Sequence, residues 1–496
     1  MVDLRQLLHG FAPGAPGVGV RDLCDDSRLV TPGALFIART GPRGDGRGHI
    51  ADAVKRGAVC VACEAPMTDA HRAAAGACPI VEVEDLAQRT GAIAERFFGE
   101  PAKGMTLVGV TGTNGKTTIA HLTTGLLRSA GIETACVGTL GADVSGDGGG
   151  TLTETGLTTP GAIGLSRLLA RARDAGARVA VIETSSHALE QGRVAAMRFA
   201  VGVFTNLTRD HLDDHGDMAT YGAAKARLFS SLAPEALAIV NTLEPAHATM
   251  LAGCSARVLR CGDEARATID RESLDGLELT LNGPWGDARA TPALIGTFNA
   301  MNALQAYAAA HEVCGLLGVS SDGLASALSR LGGPAGRLER VGTGAPRVFV
   351  DYAHTPAALE STLRALRPLT AGKIICVFGC GGDRDRGKRP EMGRVVSELA
   401  DTAVVTSDNP RREEPATIIA EVLGGMTGRA HPIVDRDRAA AIAIGVGLAH
   451  EDDVVVIAGK GHEDYQLLPD EHGGVLRIDF DDRLVALAAR RTGVLA

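Results

Sequence analysis

The stretch VTGTNGKTTIAHL, residues 110–122, joins an apolar run to a helical pattern through a loop with two glycines. Gly112 and Gly115 allow the backbone to wrap closely around a phosphate, and the N-terminus of the following helix offers free N–H groups. Lys116 can reach terminal phosphates, and the Thr117 hydroxyl is suited to ligate Mg²⁺. The alternative is a tight turn with a surface lysine. A strand before the loop and a helix after it favour phosphate binding, although valine replaces the first glycine of the common G-x-x-x-x-G-K pattern.

Short apolar runs alternate with helical patterns through most of the chain. TLVGV, ARVAVIET, FAVGVFTNL and ALAIVN lie between residues 106 and 241, and RVFVDYA, KIICVFGC, TAVVTSDNP and DVVVIAGKG lie between residues 347 and 461. Such runs, separated by helices, indicate parallel strands buried on both faces, so we predict an α/β protein. The segment GADVSGDGGGTLTETG, residues 141–156, interrupts the pattern and is predicted to be a loop.

The chain of 496 residues is too long for one hydrophobic core, and three domains are predicted. They are a small N-terminal α/β domain over residues 1–87, a central P-loop mononucleotide-binding sheet over 88–333, and a Rossmann-like C-terminal domain over 334–496. The cluster LGGPAG marks the second boundary. Cys60 and Cys63 form one CxxC within an apolar run, which favours a buried strand over a zinc or redox site.

The overall composition excludes several classes of protein. With 50 basic and 59 acidic residues the net charge is −9, which argues against broad nucleic-acid binding. The N-terminus lacks the pattern of a signal peptide, and no apolar run reaches the roughly 18 residues of a membrane span. Ten scattered cysteines suit a reducing compartment. We therefore expect a cytoplasmic protein without nucleic-acid or membrane partners. As a separate expectation, which composition does not determine, the protein is a monomer.

Two residues at strand ends are candidate metal ligands. Glu183 ends the run ARVAVIET, and His211 follows the run FAVGVFTNL. Parallel sheets place ligands beyond the carboxyl ends of their strands. One such residue alone is more often structural, but two at the edge of a phosphate-binding sheet favour a metal site.

A lysine stands on the apolar face of a predicted helix. The segment DMATYGAAKARLFSSLA places Tyr221, Lys225, Leu228 and Leu232 on one stripe. The simpler interpretation is an amphipathic lysine whose stem lies along its neighbours, and the pattern alone favours it. The other is chemical, because a desolvated lysine has a lowered pKa and its neutral amine can react with CO₂. The resulting carbamate is an anion that can hold Mg²⁺.

The motifs taken together resemble one family. TGTNGKTT, ETSSHAL, NLTRDHLDDHG and YGAAKARLF are similar to the Mur ligases, ATP-dependent amide-forming enzymes of peptidoglycan precursor synthesis. GTFNAMNALQA, GRLERV, DYAHTP, GCGGDRDRGKRP, SDNPRREEP and AGKGHEDYQ extend the resemblance over nearly all of the chain past residue 100. The last motifs resemble the branch that adds the third residue of the stem peptide. This implies the cofactors ATP and Mg²⁺ and the substrates UDP-MurNAc-L-Ala-D-Glu and meso-diaminopimelate.

The resemblance also implies the roles of individual residues. ATP would contact Gly112, Thr113, Asn114, Gly115, Lys116, Thr117, Thr118, Asn299, Arg337 and Asp351. Mg²⁺ would be held by Thr117, Glu183, His211 and Lys225, the last as N6-carboxylysine, and Lys116, Glu183, His211 and Lys225 would be catalytic. The UDP-sugar peptide would contact Ser27, Arg43, Thr158, Thr159, Ser185, Gln191 and Arg193. Some relatives carry His-Gln where this chain has Pro42-Arg43, so Arg43 could meet a phosphate there instead.

The stretch SDNPRREEP, residues 407–415, would read the amino acid. The residues implied by the resemblance are Asp408, Asn409, Pro410 and Arg411, with Arg384, Gly459 and Glu463. Meso-diaminopimelate has an amine and a carboxylate at each end, so Arg411 can grip the distal carboxylate bidentately and Asn409 can add a directional hydrogen bond. The alternative from the residues alone is a type I turn with surface arginines.

Two other functions compete with this prediction. A folylpolyglutamate synthetase shares the shortened phosphate loop, but the first domain and the late basic loop argue against it. A regulatory ATPase or nucleotide-sugar sensor would bind the same ligands without joining them. Phosphate release that depends strictly on both substrates would separate a ligase from such a sensor. Motifs spread over three domains lead us to expect closure of the third domain over the nucleotide.

Overall fold

The computed structural model describes residues 1–41, 44–145, 152–208, 212–470 and 472–493. The chain divides into two compact units. The first comprises Met1–Arg266, Asn282–Gly286 and Asn302–Ala327, and the second comprises Ala267–Leu281, Asp287–Met301 and Leu328–Ala496. The three predicted domains, with boundaries at residues 87 and 333, stay a prediction.

The first unit begins with a small α/β region. Its strands are β1 (Val2–Asp3), β2 (Gly19–Val20), β3 (Asp22–Cys24), β4 (Ala34–Ala38), β5 (Thr40–Gly41), β6 (Gly44–Asp45), β7 (Cys60–Glu64) and β8 (Ile80–Val83). Its helices are α1 (Leu4–Leu7), α2 (Ile50–Lys55), α3 (Asp69–Ala75) and α4 (Leu86–Phe97). Strands β3, β4, β7 and β8 form a parallel sheet in that order, and the pairs β1–β2 and β5–β6 form two short ribbons.

The CxxC pair lies in the buried strand that the sequence predicts. All five residues of β7 are buried, and Cys60 and Cys63 have no exposed surface. Burial raises the pKa of the Cys60 thiol to about 12 and that of the Cys63 thiol to about 11. These thiols therefore serve packing rather than thiolate chemistry.

A seven-stranded sheet forms the centre of the first unit. Its strands are β9 (Thr106–Thr111), β10 (Thr134–Gly138), β11 (Gly141–Asp143), β12 (Val179–Glu183), β13 (Phe199–Phe204), β14 (Leu237–Asn241) and β15 (Arg257–Cys261). The helices that connect them are α5 (Lys116–Ser129), α6 (Ala162–Asp174), α7 (Ser186–Glu190), α8 (Leu212–His215), α9 (Met218–Ser230) and α10 (His247–Leu251). The spatial order is β11-β10-β12-β9-β13-β14-β15, and all neighbours are parallel except β10 and β11.

The four apolar runs predicted as central strands are β9, β12, β13 and β14. Leu107, Val181, Val203 and Ile239 are among their residues with no exposed surface, as expected for strands covered on both faces. The predicted loop at 141–156 is wrong in its first three residues, which form β11 and pair antiparallel with β10. Residues 146–151 of that loop lie outside the described residues.

Between the central sheet and the last sheet lies a segment that the sequence did not predict. Strands β16 (Arg266–Ser273), β17 (Gly276–Gly283) and β18 (Gly286–Ala290) form a three-stranded sheet in chain order. The helices α11 (Phe298–Leu317) and α12 (Leu324–Leu328) follow. The division between the two units runs through this segment.

The second unit is built on a six-stranded sheet. Its strands are β19 (Glu339–Arg340), β20 (Arg347–Asp351), β21 (Ile374–Phe378), β22 (Thr402–Val405), β23 (Pro432–Val434) and β24 (Val454–Ala458), and a ribbon follows of β25 (Tyr465–Pro469) and β26 (Val475–Asp479). The helices are α13 (Pro356–Leu366), α14 (Lys388–Leu399), α15 (Pro415–Leu423), α16 (Arg438–Gly447) and α17 (Asp482–Gly493). The order is β19-β20-β24-β21-β22-β23, with only β19 antiparallel to its neighbour.

The four apolar runs predicted for the C-terminal part are β20, β21, β22 and β24. The α/β fold with parallel sheets is therefore confirmed. Among the helices that the structure describes, none has both the length and the apolar composition needed to cross a membrane.

Candidate active site

The predicted phosphate loop lies between β9 and α5. Gly112 has φ +146° and Gly115 has φ +85°, conformations that favour glycine. A Cβ on Gly112 would stand 1.8 Å from Thr205 Oγ1, and one on Gly115 would stand 2.6 Å from Asn302 Oδ1. Lys116 Nζ donates to the carbonyl oxygens of Gly112 at 2.9 Å and of Thr113 at 2.8 Å. The loop therefore has the tight glycine turn and the lysine that a phosphate cradle requires.

A second segment, directly after β13, holds this loop in place. The Asn114 N–H donates to Asn206 Oδ1 at 2.9 Å, and Asn206 Nδ2 donates to the Asn114 carbonyl at 3.3 Å. Thr113 N–H donates to the Asn206 carbonyl at 2.9 Å, and Thr208 N–H donates to Thr113 Oγ1 at 3.0 Å. The sequence analysis did not single out Asn206. The available signal was a polar side chain immediately beyond the carboxyl end of a buried strand.

Glu183 ends β12, as predicted, and its carboxylate is almost wholly buried. Its Oε2 accepts from Thr117 Oγ1 at 3.0 Å and from Thr139 Oγ1 at 3.1 Å, while Oε1 accepts from Thr139 N–H at 3.0 Å. Carboxylate and hydroxyl oxygens are the hard donors that Mg²⁺ prefers, and the adjacent phosphate loop would bring further oxygens. Thr117 and Glu183 therefore fit an Mg²⁺ ion.

The described residues contain no group of three His, Cys, Asp or Glu side chains suited to hold a metal ion. His211, the other predicted strand-end ligand, lies outside the described residues. The donors that the structure describes for Mg²⁺ are thus one carboxylate and one hydroxyl, which leaves room for phosphate oxygens.

Lys225 faces the packed side of α9, as the stripe predicts. Its side chain is 1% exposed, and Tyr221 and Leu228 on the same face are also buried. Leu232 is buried as well, although α9 already ends at Ser230. Lys225 Nζ donates to the Gly112 carbonyl at 2.9 Å and lies 4.3 Å from the centre of the Tyr221 ring. The lysine thus reaches the phosphate loop and does not extend to solvent.

Four of the residues predicted to contact the UDP-sugar peptide form one hydrogen-bonded group. Thr159 Oγ1 donates to the Glu183 carbonyl at 2.7 Å and accepts from Ser185 N–H at 3.0 Å. Arg193 donates to the Thr159 carbonyl at 2.7 Å and to Gln191 Oε1 at 2.7 Å. A fifth, Thr158, contacts Thr139 with 3.2 Å between their hydroxyl oxygens.

Of the other two predicted contacts for this substrate, Ser27 is among the described residues. Ser27 is buried in a short 3₁₀ turn, Ser27–Leu29, of the N-terminal region. Arg43 lies outside the described residues. Among the described residues, the contacts that the structure groups are therefore those that follow strands of the central sheet.

In the second unit the DNPR motif follows β22 and is largely buried. Asn409 is 3% exposed, its Nδ2 donates to Glu463 Oε2 at 2.7 Å, and its Oδ1 accepts from Leu467 N–H at 2.9 Å. Glu463 Oε2 also accepts from Lys460 Nζ at 3.1 Å. Asp408 Oδ1 accepts from Asn409 N–H, whereas its buried Oδ2 has no hydrogen-bond partner among the described residues. The motif is thus a packed polar site and not a surface turn.

Arg411 is partly buried, and the loop after β21 borders it. Its Nη1 donates to the Gly382 carbonyl at 2.8 Å, and its φ of +54° is unusual for a residue other than glycine. Pro410 is buried and Arg384 is exposed in the loop between β21 and α14. Gly459, with φ +121°, approaches Asp408 so closely that a Cβ there would stand 2.3 Å from Asp408 Oδ2.

Arg389, outside the motif, contributes to the link between the loop after β21 and the segment after β22. Arg389 has no exposed side-chain surface and forms ion pairs with Glu413 at 2.8 Å and with Glu421 at 2.7 Å. The hydrogen bonds from Arg389 lower the pKa of Glu413 from 4.5 to about 2. The Asp383 N–H also donates to this carboxylate. The carboxylate therefore ties the loop after β21 to the segment after β22.

The remaining predicted nucleotide contacts lie in the second unit. Asp351 ends β20, and its carboxylate accepts from the N–H groups of Leu338 and Ala353 and from the Thr362 hydroxyl. The Cζ atom of Arg337 lies 4.7 Å from the centre of the Tyr352 ring, over its face. Asn299, in the first turn of α11, is buried and donates to the Ile295 carbonyl.

Two histidines border the same tyrosine and favour the neutral form. The ring centres of Tyr352 and His354 are 4.6 Å apart, and those of Tyr352 and His462 are 5.2 Å apart. Burial lowers the pKa of His354, and burial lowers that of His462 to about 4. Burial also raises the pKa of Tyr352.

Three family models match the chain in succession. The model described as "Mur ligase family, catalytic domain" matches residues 23–98, "Mur ligase middle domain" matches 110–310, and "Mur ligase, glutamate ligase domain" matches 336–461. A protein of Ectopseudomonas mendocina (strain ymp), named UDP-N-acetylmuramoyl-L-alanyl-D-glutamate--2,6-diaminopimelate ligase, is 45% identical over 480 residues, which cover 94% of each chain. The chain belongs to the Mur ligase family. A protein of the same name from Xanthomonas campestris pv. campestris (strain 8004) is 43% identical over 503 residues, or 99% of this chain and 98% of the relative.

Solved structures agree with this membership. A structure of a UDP-N-acetylmuramoyl-L-alanyl-D-glutamate--2,6-diaminopimelate ligase has a TM-score of 0.70 at 32% identity and covers 99% of both chains. A folylpolyglutamate synthase of Mycobacterium tuberculosis, complexed with ADP and AMPPCP, has a TM-score of 0.62 at 21% identity over 74% of this chain. The second likeness concerns the fold alone. The Mur ligase prediction, with an enzyme that forms amide bonds, is confirmed.

Proposed function

We propose that this Mur ligase joins meso-diaminopimelate to the D-glutamate γ-carboxylate of UDP-MurNAc-L-Ala-D-Glu at the expense of ATP. The observation that carries the choice of amino acid is the partly buried Asn409–Glu463 pair beside Arg411. It combines acidic oxygens for an ammonium group with a guanidinium group for a carboxylate. The relatives named for this reaction, at 43% and 45% identity, support the same choice.

The first step would activate the acceptor carboxylate. An oxygen of the D-glutamate γ-carboxylate attacks the γ-phosphorus of ATP, the bond to the bridging oxygen of ADP breaks, and an acyl phosphate forms. Two anions must approach for this step, and their repulsion has to be reduced. Lys116, on the phosphate loop, supplies one positive charge, and bound Mg²⁺ would supply the rest of the neutralisation.

The second step would form the amide. The neutral amine of meso-diaminopimelate attacks the acyl carbon. The bond between this carbon and the oxygen that is bonded to phosphorus then breaks. Inorganic phosphate leaves with that oxygen, and the proton that the amine nitrogen loses passes to the departing phosphate or to solvent. Activation is needed because a free carboxylate is a poor electrophile, and a site that excludes water protects the anhydride from hydrolysis.

ATP would lie on the loop from Gly112 to Thr118. In this proposal the loop N–H groups and the N-terminus of α5 bind the phosphates. Asn299, Arg337 and Asp351 of the second unit would contact the rest of the nucleotide. Support comes from the loop geometry, from the arginine over Tyr352 and from the carboxylate at the end of β20.

Mg²⁺ would be held by Thr117, Glu183, His211 and a carbamate on Lys225. Lys116 Nζ and Lys225 Nζ both donate to the Gly112 carbonyl at 2.9 Å, so two ammonium groups meet at one oxygen. Like charges this close favour a neutral form of one amine, and the buried lysine is the one that also loses hydration. A neutral Lys225 can add CO₂, which replaces a cation by an anion at the metal site.

The UDP-linked peptide would be bound by Thr158, Thr159, Ser185, Gln191 and Arg193, with Ser27 and Arg43 from the N-terminal region. The hydrogen bond from Thr159 to the Glu183 carbonyl supports this location, because it joins the substrate segment to the end of β12. The γ-carboxylate of the peptide must meet the γ-phosphate, and both groups of residues lie at that edge of the sheet.

The amino acid would be read at its far end by Arg411, with Arg384, Asp408, Asn409, Pro410, Gly459 and Glu463. L-lysine lacks the distal carboxylate, so the Arg411 guanidinium would lose its bidentate partner. Loss of such a contact discriminates on the order of 10⁴-fold between substrates.

The test is phosphate release from ATP with all substrate combinations. We expect release only when both UDP-MurNAc-L-Ala-D-Glu and meso-diaminopimelate are present, together with a product heavier by diaminopimelate minus water. Release that does not depend on either acceptor would overturn the proposal. Binding of both nucleotides without any product would favour the sensor instead.

A further inference from the structure

Thr139 lies at the tip of the hairpin between β10 and β11. The flanking glycines, Gly138 and Gly141, pair with each other across the hairpin. Strand β10 runs beside β12, which ends at Glu183. The hairpin tip therefore stands at the carboxyl edge of the sheet, next to the proposed Mg²⁺ ligand.

Both polar groups of Thr139 are directed at the Glu183 carboxylate. The N–H donates to Oε1 at 3.0 Å and the hydroxyl donates to Oε2 at 3.1 Å. A carboxylate with 1% exposure needs such donors, because burial without hydrogen bonds costs several kcal/mol. Two bonds from one residue fix the plane of the carboxylate as well as its location.

Gly138 makes this arrangement possible. A Cβ at this position would stand 2.1 Å from Glu183 Oε1, so only a residue without a side chain admits the carboxylate there. The carboxylate consequently lies against the hairpin backbone on one side. On the other it accepts from the Thr117 hydroxyl at 3.0 Å.

Thr158 orients the Thr139 hydroxyl. The two hydroxyl oxygens are 3.2 Å apart. A hydroxyl has one hydrogen, and a carboxylate only accepts, so Thr139 gives its hydrogen to Glu183 and accepts from Thr158. A directed chain of hydrogen bonds thus runs from Thr158, a proposed substrate contact, through Thr139 to Glu183.

We propose that Thr139 is a positioning residue that holds the Glu183 carboxylate in the orientation needed to bind Mg²⁺. The inference rests on the proposed function, in which Glu183 is a metal ligand. Hydrogen-bond partners of metal ligands fix ligand orientation, and their loss typically reduces metal affinity or activity by about 10- to 100-fold. The hydroxyl of Thr139 is such a partner.

The test measures metal binding directly. Mn²⁺ replaces Mg²⁺, and its free and bound forms are separated by electron paramagnetic resonance with ADP present. In Thr139→Val, which keeps the side-chain shape but removes the hydroxyl, the Mn²⁺ dissociation constant should rise by about 10-fold or more. Thr139→Ser, which retains the hydroxyl, should bind close to the wild-type value.

A matched control is available in the same sheet. Thr242 lies directly after β14, and its hydroxyl donates to the Cys261 carbonyl at 3.1 Å, away from Glu183. Thr242→Val makes the same chemical change and should leave Mn²⁺ binding unaltered. Gly138→Ala adds an independent variant: it retains the hydroxyl but displaces the carboxylate, so it should also weaken Mn²⁺ binding.

The possible outcomes distinguish a failure of the proposed role of Thr139 from a failure of the proposed Mg²⁺ site. Thr139→Val with wild-type Mn²⁺ affinity and an unchanged thermal unfolding midpoint would overturn the role of Thr139 and leave the proposed function intact. A wild-type protein that binds no Mn²⁺ with ADP would overturn the Mg²⁺ site itself. If Thr139→Val did not fold, wild-type affinity in Gly138→Ala would overturn the inference.

Discussion

Removal of the Asn206 side chain should weaken nucleotide binding, although this side chain is not among the proposed nucleotide contacts. In the described structure this amide makes two hydrogen bonds to the backbone of Asn114, one in each direction. Each such bond contributes a net ~0.5–1.5 kcal/mol, so Asn206→Ala should destabilise the bound form of the phosphate loop by about 1–3 kcal/mol. If the loop then adopts other conformations, the affinity for ADP falls in proportion to the lost population of the binding-competent conformation, from about 5-fold to about 150-fold.

Isothermal titration with ADP measures this loss. Ser129→Ala is the control, because it removes one hydrogen bond from a side chain to the backbone at the other end of α5, where Ser129 donates to the Gly125 carbonyl. It should bind ADP as the wild type does. An Asn206→Ala protein that is folded and binds ADP within twofold of the wild type would refute the reasoning. The loop would then hold its conformation through its glycines and the remaining contacts.

Three further predictions follow from the site and its supports. Lys225→Ala should reduce ligation by about 100-fold or more, bicarbonate should not restore it, and short carboxylates should restore part; undiminished activity would discard the carbamate. Arg411→Ala should reduce the preference for meso-diaminopimelate over L-lysine, on the order of 10⁴-fold in the wild type, more than it reduces ATP affinity; an unchanged ratio of kcat/KM would contradict the assignment. Because hydrogen bonds from Arg389 lower the pKa of Glu413 to about 2, the ionised Glu413 carboxylate should stabilise the folded protein. This stabilisation should be complete above about pH 4.5 and should be lost as the pH falls toward 2. The difference in free energy of unfolding between wild type and Glu413→Gln should therefore shrink over that range in urea titrations, and a constant difference would contradict it.

Strands whose own sequence is an unbroken apolar run could be predicted from the sequence. Strands such as β9 and β24 are unbroken apolar runs between helices, and both are buried throughout nearly their full length. Strand β15 reads RVLRC, in which two arginines interrupt the apolar residues, and β16 reads RATIDRES with mostly polar residues. Their pairing partners, not their own composition, make them strands. Sequence patterns therefore located the cores of both sheets and missed their edges.

The site could be predicted to a similar extent. The loop at Gly112, the strand-end Glu183 and the buried Lys225 follow from turn chemistry and periodicity over a few residues. Thr139 and Asn206 escaped because each acts on a partner far along the chain, at separations of 44 and 92 residues. Asn409 and Glu463 are 54 residues apart, and only the family resemblance assigned both of them to one site.

An isotope measurement tests the acyl-phosphate reaction most directly. The D-glutamate γ-carboxylate of UDP-MurNAc-L-Ala-D-Glu is labelled with ¹⁸O, and the phosphate released during ligation of meso-diaminopimelate is analysed by mass spectrometry. The proposed reaction transfers a carboxylate oxygen to phosphorus, so each phosphate should carry one labelled oxygen. Unlabelled phosphate, released together with the amide product, would contradict it.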